Sequence, residues 1–276
     1  MDLENFNQRI LIPCDFSPPS LHALRFASRL CRDRNCELVV LTVSDAGEVP
    51  VIPDEGPAAS RMLEEAIREL AIITPVRHIV RQGRFVNTVL EVIGEETISM
   101  VLLGTRGSRG WDGLFMGSHA EKIVRTSPVP VVTIREQAYS GQIRNVVIPV
   151  DLREDPAAMA ASMEPLLSAV QAQWHLLHVV TGHSSGGDQV MAHLREFGRE
   201  LGLRHFTVAE ERAEDEADGI LRYAGMAGAD LIAICTHGEK DPGQMYGHSI
   251  AADVVNHSRV SVWTSTIREL PVARTH

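Results

Sequence analysis

The chain has no run near the roughly 18 unbroken apolar residues that a membrane-spanning helix requires, which excludes a helical membrane protein. Its first ten residues, MDLENFNQRI, lack the basic and apolar regions of a secretory signal, so a cytoplasmic location is expected. Only four cysteines occur, Cys14, Cys31, Cys36 and Cys235. None falls into a zinc-ligand spacing, and Cys31-x4-Cys36 is looser than a CxxC redox site, so reduced structural thiols are expected. A surplus of positive charge is missing as well: 26 Lys and Arg face 36 Asp and Glu, for a net charge of −10. Such a chain is poorly suited to gripping nucleic-acid phosphates. The imbalance is uneven, because residues 1–137 hold 15 basic and 18 acidic groups while 138–276 hold 11 and 18. The first half is the less hostile one to a polyphosphate.

What the chain does have is 276 residues, 44% of them hydrophobic, and an internal repeat. Arg9-Ile-Leu-Ile-Pro-Cys-Asp15 is echoed by Asn145-Val-Val-Ile-Pro-Val-Asp151, and Glu37–Val43 by Gln173–Val179, both at an offset of 136 residues. Met100–Gly107 then matches Leu231–Gly238 at an offset of 131. The chain therefore reads as a tandem duplication, with domains at 1–137 and 143–276 and a polar junction over 137–142. Between the apolar runs lie helical patterns. Leu21, Leu24, Phe26, Ala27 and Leu30 follow Ser17-Pro-Pro-Ser20, whose hydroxyls and prolines suit a helix start. Met62, Leu63, Ala66, Ile67 and Leu70 form a second stripe. Short strands alternating with helices imply βαβ units around a parallel sheet, and runs such as Met100–Leu103 suit a sheet covered on both faces. The fold class is α/β, two tandem doubly wound five-stranded parallel-sheet domains of Rossmann-like type, each with about four helices. Asp45–Pro57, rich in Gly and Pro, is expected to be a loop, either a surface connection or a flap over a ligand.

After the fourth apolar run comes Gly104-x2-Gly107-x9-Gly117-Ser118-His119, followed by a helix that buries Ala120, Ile123 and Val124. Glycines let backbone approach an anion closely, and Ser118 stands where the free N–H groups and positive dipole end of the helix would meet a phosphate. Arg106 and Arg109 add positive charge at that mouth. The pattern is neither a GxGxxG fingerprint nor a Walker loop, since no Gly-Lys-Ser/Thr is present. A first strand ending Ile-Pro-x-Asp-Phe-Ser, a second ending at Val43, this loop, and a final Val-Pro-Val strand together resemble the universal stress proteins. The resemblance spans nearly the whole chain, twice, and is strongest to the ATP-binding branch. It implies that Pro13, Asp15 and Val43 border an adenosine. It sets the phosphates of ATP, with Mg or Mn alongside, against Gly104, Gly107, Gly117, Ser118 and the backbone of His119, where the charge of Arg106 makes it a further candidate contact. On residue type alone, Asp15 also suits turn capping and Val43 ordinary core packing.

The second copy departs from the pattern. Cys235 replaces Gly104 and His248 replaces Gly117, while Glu239 and Asp241 bring carboxylates into the loop, so one nucleotide site per chain is expected. Nine of the 12 histidines lie in this half without a HExxH-like ligand spacing, and no metal site is assigned. No Ser–His–Asp signature, Gly-x-Ser-x-Gly elbow or carboxylate pair names a catalytic residue. The sequence thus points to a nucleotide-dependent stress-response regulator or interaction protein with protein partners unnamed. A slow ATPase or adenylyl-transferring enzyme and a nucleotide-free scaffold are the alternatives. In this family the last strand commonly pairs across a dimer interface, which makes Val129–Thr133 and Val260–Thr264 candidate edges for an internal pseudo-dimer, with room for a homodimer.

Overall fold

A computed structural model of the chain describes residues 6–32, 34–44, 55–105, 118–135, 143–182, 187–236 and 250–267. The chain divides into two compact units, Met1–Gly141 and Gln142–His276. In unit 1 the elements run β1 (Gln8–Pro13), α1 (Pro18–Leu30), β2 (Cys36–Ser44), α2 (Glu55–Glu69), β3 (Val76–Gln82), α3 (Phe85–Glu95), β4 (Met100–Thr105), α4 (Ser118–Thr126) and β5 (Val131–Arg135). Unit 2 repeats the series as β6 (Asn145–Pro149), α5 (Pro156–Ala169), β7 (Gln173–Thr181), α6 (Asp188–Glu200), β8 (Phe206–Ala213), α7 (Glu216–Met226), β9 (Leu231–Thr236), α8 (Ile250–His257) and β10 (Ser261–Thr266). Five strands and four helices per unit match the sequence reading. Glu55–Pro57, expected in a loop, instead opens α2; residues 45–54 lie outside the described residues.

Strand order in unit 1 is β3-β2-β1-β4-β5, all parallel. The chain builds outward from β1 to β3, then crosses to the other side of β1 to lay down β4. Between β1 and β4 the order reverses, and in open α/β sheets that switch point opens a crevice at the carboxyl ends of the strands. Alternation along each strand sends side chains to both faces. Leu11, Val39, Leu41, Val101, Leu103 and Val131 form one buried cluster with Val89, Val92 and Ile93 of α3 and Ile123 of α4. Residues of opposite parity, including Ile10, Ile12, Val40 and Leu102, are equally buried on the face left to α1 and α2. Each such side chain contributes about 1.5–3 kcal/mol by leaving water, which is why the strands are apolar throughout.

Unit 2 has the same order, β10-β9-β6-β7-β8. The duplication extends to single hydrogen bonds. Ser127 Oγ donates to the Val129 carbonyl at 2.7 Å, and Ser258 Oγ donates to that of Val260 at 2.8 Å. The Cys14 amide reaches the Leu41 carbonyl at 2.8 Å, as the Val150 amide reaches that of Leu177. Asp155 caps α5 through the Ala157 amide, and Asp215 caps α7 through that of Asp218.

The expectation of four reduced thiols is overturned by the pairing of Cys31 with Cys36 as a disulfide. Cys31 is the C-cap of α1 and Cys36 the first residue of β2, and the turn between them brings their Cα atoms to 5.7 Å. That lies within disulfide reach. A linear spacing of x4 carries no sign of this closure, because a helix end and a strand start create it. Unreduced protein should show two free thiols, Cys14 and Cys235, and four after reduction under denaturing conditions. Replacing both Cys31 and Cys36 by Ser should lower unfolding stability by about 2 kcal/mol, read from the denaturant midpoint.

Candidate functional site

The proposed nucleotide residues that are described all sit at the carboxyl edge of unit 1. Pro13 ends β1, and Asp15 follows it in a four-residue connection to α1. Val43 lies two positions beyond Leu41, the register partner of Pro13. Gly104 is the penultimate residue of β4, and Ser118 and His119 open α4. The strands β2, β1 and β4 are adjacent, so these positions line the switch point rather than scatter over the surface. Arg106, Gly107 and Gly117 lie outside the described residues.

Asp15 organises the first turn. Its Oδ1 accepts from the Ser17 amide at 3.0 Å, the Ser17 hydroxyl at 2.6 Å and the Ser20 hydroxyl at 2.8 Å. Ser17 occupies the N-cap position of α1, yet its hydroxyl donates to Asp15 instead of accepting from a helix amide, contrary to the capping role expected of it. Burial is the largest single influence on the Asp15 carboxyl and raises its pKa. The Ser17 hydroxyl, the Ser17 amide and the Ser20 hydroxyl together outweigh it, and the group titrates below the ordinary aspartate value. Between Asp15 and Ser17, Phe16 has φ of +58°, a left-handed conformation that a bulky side chain adopts at a cost. The aligned position Leu152 has no such conformation.

Gly104 has a packing reason to be glycine besides any approach to phosphate. A Cβ there would stand 2.0 Å from the Pro19 carbonyl oxygen and 2.7 Å from the Ser20 amide nitrogen. The first turn of α1 therefore lies directly on β4. Val43 turns its side chain to the α3 and α4 side and packs on that core cluster, so core packing is one of its roles. The His119 ring stacks on Phe85, the first residue of α3, with centroids 5.5 Å apart. It tethers the start of α4 to the start of α3.

Other groups at this edge went unread in the sequence. His78 on β3 places Nε2 3.0 Å from the Thr42 hydroxyl and Nδ1 3.5 Å from the Ser60 hydroxyl, and Phe16 meets its ring edge-on at 6.4 Å. Burial lowers the pKa of this imidazole. Arg135, in register with Thr105 at the end of β5, is buried, which pulls its guanidinium below the usual value. Alternation does place Thr42 and His78 on one face, but only the pairing of β2 with β3 makes them neighbours. Among the described residues no three His, Cys, Asp or Glu side chains converge as a metal site, and no helix is long and apolar enough to cross a membrane.

The matching edge of unit 2 is built differently. Its first connection, Val150–Asp155, has six residues against four for Cys14–Ser17. Asp151 is gripped by the Arg153 guanidinium, Nε at 3.0 Å from Oδ1 and Nη2 at 2.5 Å from Oδ2. That hydrogen bond is the leading cause holding the Asp151 carboxyl below its usual range. Cys235, in the place of Gly104, fits its sulfur between the hydroxyls of Ser162 at 3.5 Å and Ser265 at 3.3 Å. Glu216 nearby is pushed up, first by burial and then by the Asp151 charge. The loop at 237–249, with His248, Glu239 and Asp241, lies outside the described residues.

Gly104→Ala should destabilise the nucleotide-free protein by about 1–3 kcal/mol, since helix and strand must separate; chemical denaturation measures this. Asp15→Asn should lower stability at neutral pH with a characteristic dependence. The folded carboxyl titrates below its unfolded value of about 3.9, so its contribution is complete above that pH and is lost as pH falls through the folded value. The gap between wild type and variant should therefore close as pH falls through the folded value; a gap that widened on acidification would contradict this account.

Comparison with known proteins agrees with this architecture. A family model described as the universal stress protein family matches residues 7–135 and again 142–265. A universal stress protein of Methanocaldococcus jannaschii is 24% identical over 144 residues, covering 48% of this chain and 85% of that protein. The crystal structure of a universal stress protein from Archaeoglobus fulgidus superposes with a TM-score of 0.74 at 19% identity, covering 95% of this chain and 97% of that one. A functionally unknown protein from Pseudomonas aeruginosa follows with a TM-score of 0.69 at 15% identity, covering 94% of this chain and 92% of that one. At these identities the structures speak for the fold, and the double family match speaks for descent: the chain belongs to the universal stress protein family and carries two of its domains in tandem.

Proposed function

We propose that unit 1 binds ATP with an accompanying Mg or Mn ion, and that the chain acts as a cytoplasmic nucleotide-dependent stress-response regulator through protein partners. The observation that carries this reading is the convergence of Pro13, Asp15, Val43, Gly104 and Ser118 on one edge of three adjacent strands, at the switch point. An exposed carboxylate at the end of β1 suits ribose hydroxyls, which donate hydrogen bonds to it. The start of α4 offers amides and a positive dipole end to phosphates. Glu121 in the first turn of α4 works against the anion, so the metal and the arginines of residues 106–109 have charge to balance. In unit 2, Arg153 already occupies the acceptor atoms of Asp151, which favours one ATP per chain.

Small molecules released from denatured purified protein, identified by mass, should include an adenine nucleotide at no more than one per chain. Titration calorimetry should give a single ATP site, weakened by Gly117→Val by about tenfold or more and unchanged by Arg153→Ala. Absence of affinity at millimolar ATP with magnesium would overturn the reading. Single-turnover release of phosphate or AMP would move the protein to the enzyme class instead.

A further inference from the structure

An opening of another kind lies in unit 2. The carboxyl-terminal ends of α7 and α8 leave a cavity of about 340 Å³ between them. Leu221 and Ala224 of α7, Ile232 of β9 and Val260 supply its apolar lining, and Arg222, His257 and Arg259 supply its polar one. Leu221 and Val260 are half-buried at its mouth, and Ala224 and Ile232 are buried beneath them.

The duplication supplies a control. The matching hydrogen bonds of Ser127 and Ser258 align this region at an offset of 131 residues. Unit 1 then has Leu90, Ile93, Val101 and Val129 at the floor positions, equally apolar. At the polar positions it has Glu91, Thr126 and Pro128. Unit 2 has kept the floor and exchanged an acid and two neutral residues for two arginines and a histidine. It has done so in the more acidic half of an acidic chain.

The cations differ in availability. Arg222 is held by the Glu211 carboxylate, at 3.0 Å from Nε, and by the Arg212 carbonyl, so its charge is largely answered. His257 gives its Nδ1–H to the Asp253 carbonyl at 2.9 Å, which fixes the ring. Arg259 is exposed, and among the described residues no carboxylate pairs with it. A guanidinium with no carboxylate partner among the described residues, beside an apolar surface, suits a single negative charge on an apolar body. We propose that the α7–α8 cavity of unit 2 binds a small organic monoanion, a carboxylate carried on a short apolar chain. The carboxylate is received by Arg259 and the chain lies over Leu221 and Val260. The site is independent of the nucleotide reading and shares no residue with it.

Hexanoate is a suitable probe, titrated into the full chain and followed through backbone amide resonances, with hexanol as the neutral match. Hexanoate should shift the amides of Ala224, Gly225 and Ser258 saturably, and hexanol should bind about fivefold more weakly or worse. Arg259→Gln, at an exposed position, should weaken hexanoate by about the same factor. A Cβ on Gly225 meets no atom within 4 Å, so Gly225→Leu fills open space and should abolish binding. Gly94→Leu, its counterpart in unit 1 and equally open, should leave binding unchanged. No shifts by about 10 mM hexanoate, equal binding of hexanol, or unaltered affinity in Gly225→Leu or Arg259→Gln would each overturn the proposal.

Discussion

The contact between the first turn of α1 and Gly104 of β4 sets the geometry on which the carboxyl edge of unit 1 depends. With no side chain at Gly104, the Pro19 carbonyl can lie over the strand where a Cβ would be 2.0 Å away. The helix then begins after a connection of four residues, short enough that Asp15 meets both Ser17 and Ser20 with one oxygen. Phe16 takes a left-handed conformation within the same turn. A glycine read as room for an anion is first of all room for a helix. The two roles are compatible, since close backbone approach serves both.

Unit 2 illustrates what happens when that contact is released. Cys235 brings a side chain to the same strand position, the connection before α5 lengthens to six residues, and Ser162 and Ser265 receive the sulfur. Asp151 survives but has gained an arginine two residues on, so its charge is satisfied within the loop. The frame of five parallel strands is untouched, because it rests on apolar burial on both faces rather than on any one residue of the edge. A duplicated fold can therefore change one site while its core stays the same, and differences between the copies become informative about ligands.

Much of the architecture was legible because its causes are local and periodic. Apolar runs such as Ile10–Ile12 and Met100–Leu103 had to be strands of a doubly covered sheet, and the Pro-x-Asp endings marked where each first strand stops. The failures have a common physical origin. The pairing of Cys31 with Cys36 and the triangle of Thr42, Ser60 and His78 are each decided by two elements meeting. No pattern within one element contains them.

By itself the sequence determined the duplication, the order of strands and helices, and the family. Those follow from periodicity and motif, which are properties of the chain taken in order. Tertiary structure alone decided that Gly104 faces a helix, that Cys235 lies between Ser162 and Ser265, and that Arg259, with no carboxylate partner among the described residues, borders the α7–α8 cavity. Each of these depends on distances between segments far apart in sequence. Hydrogen bonds and charge pairing act only over a few ångströms, so packing has the last word on which polar group is engaged and which is free.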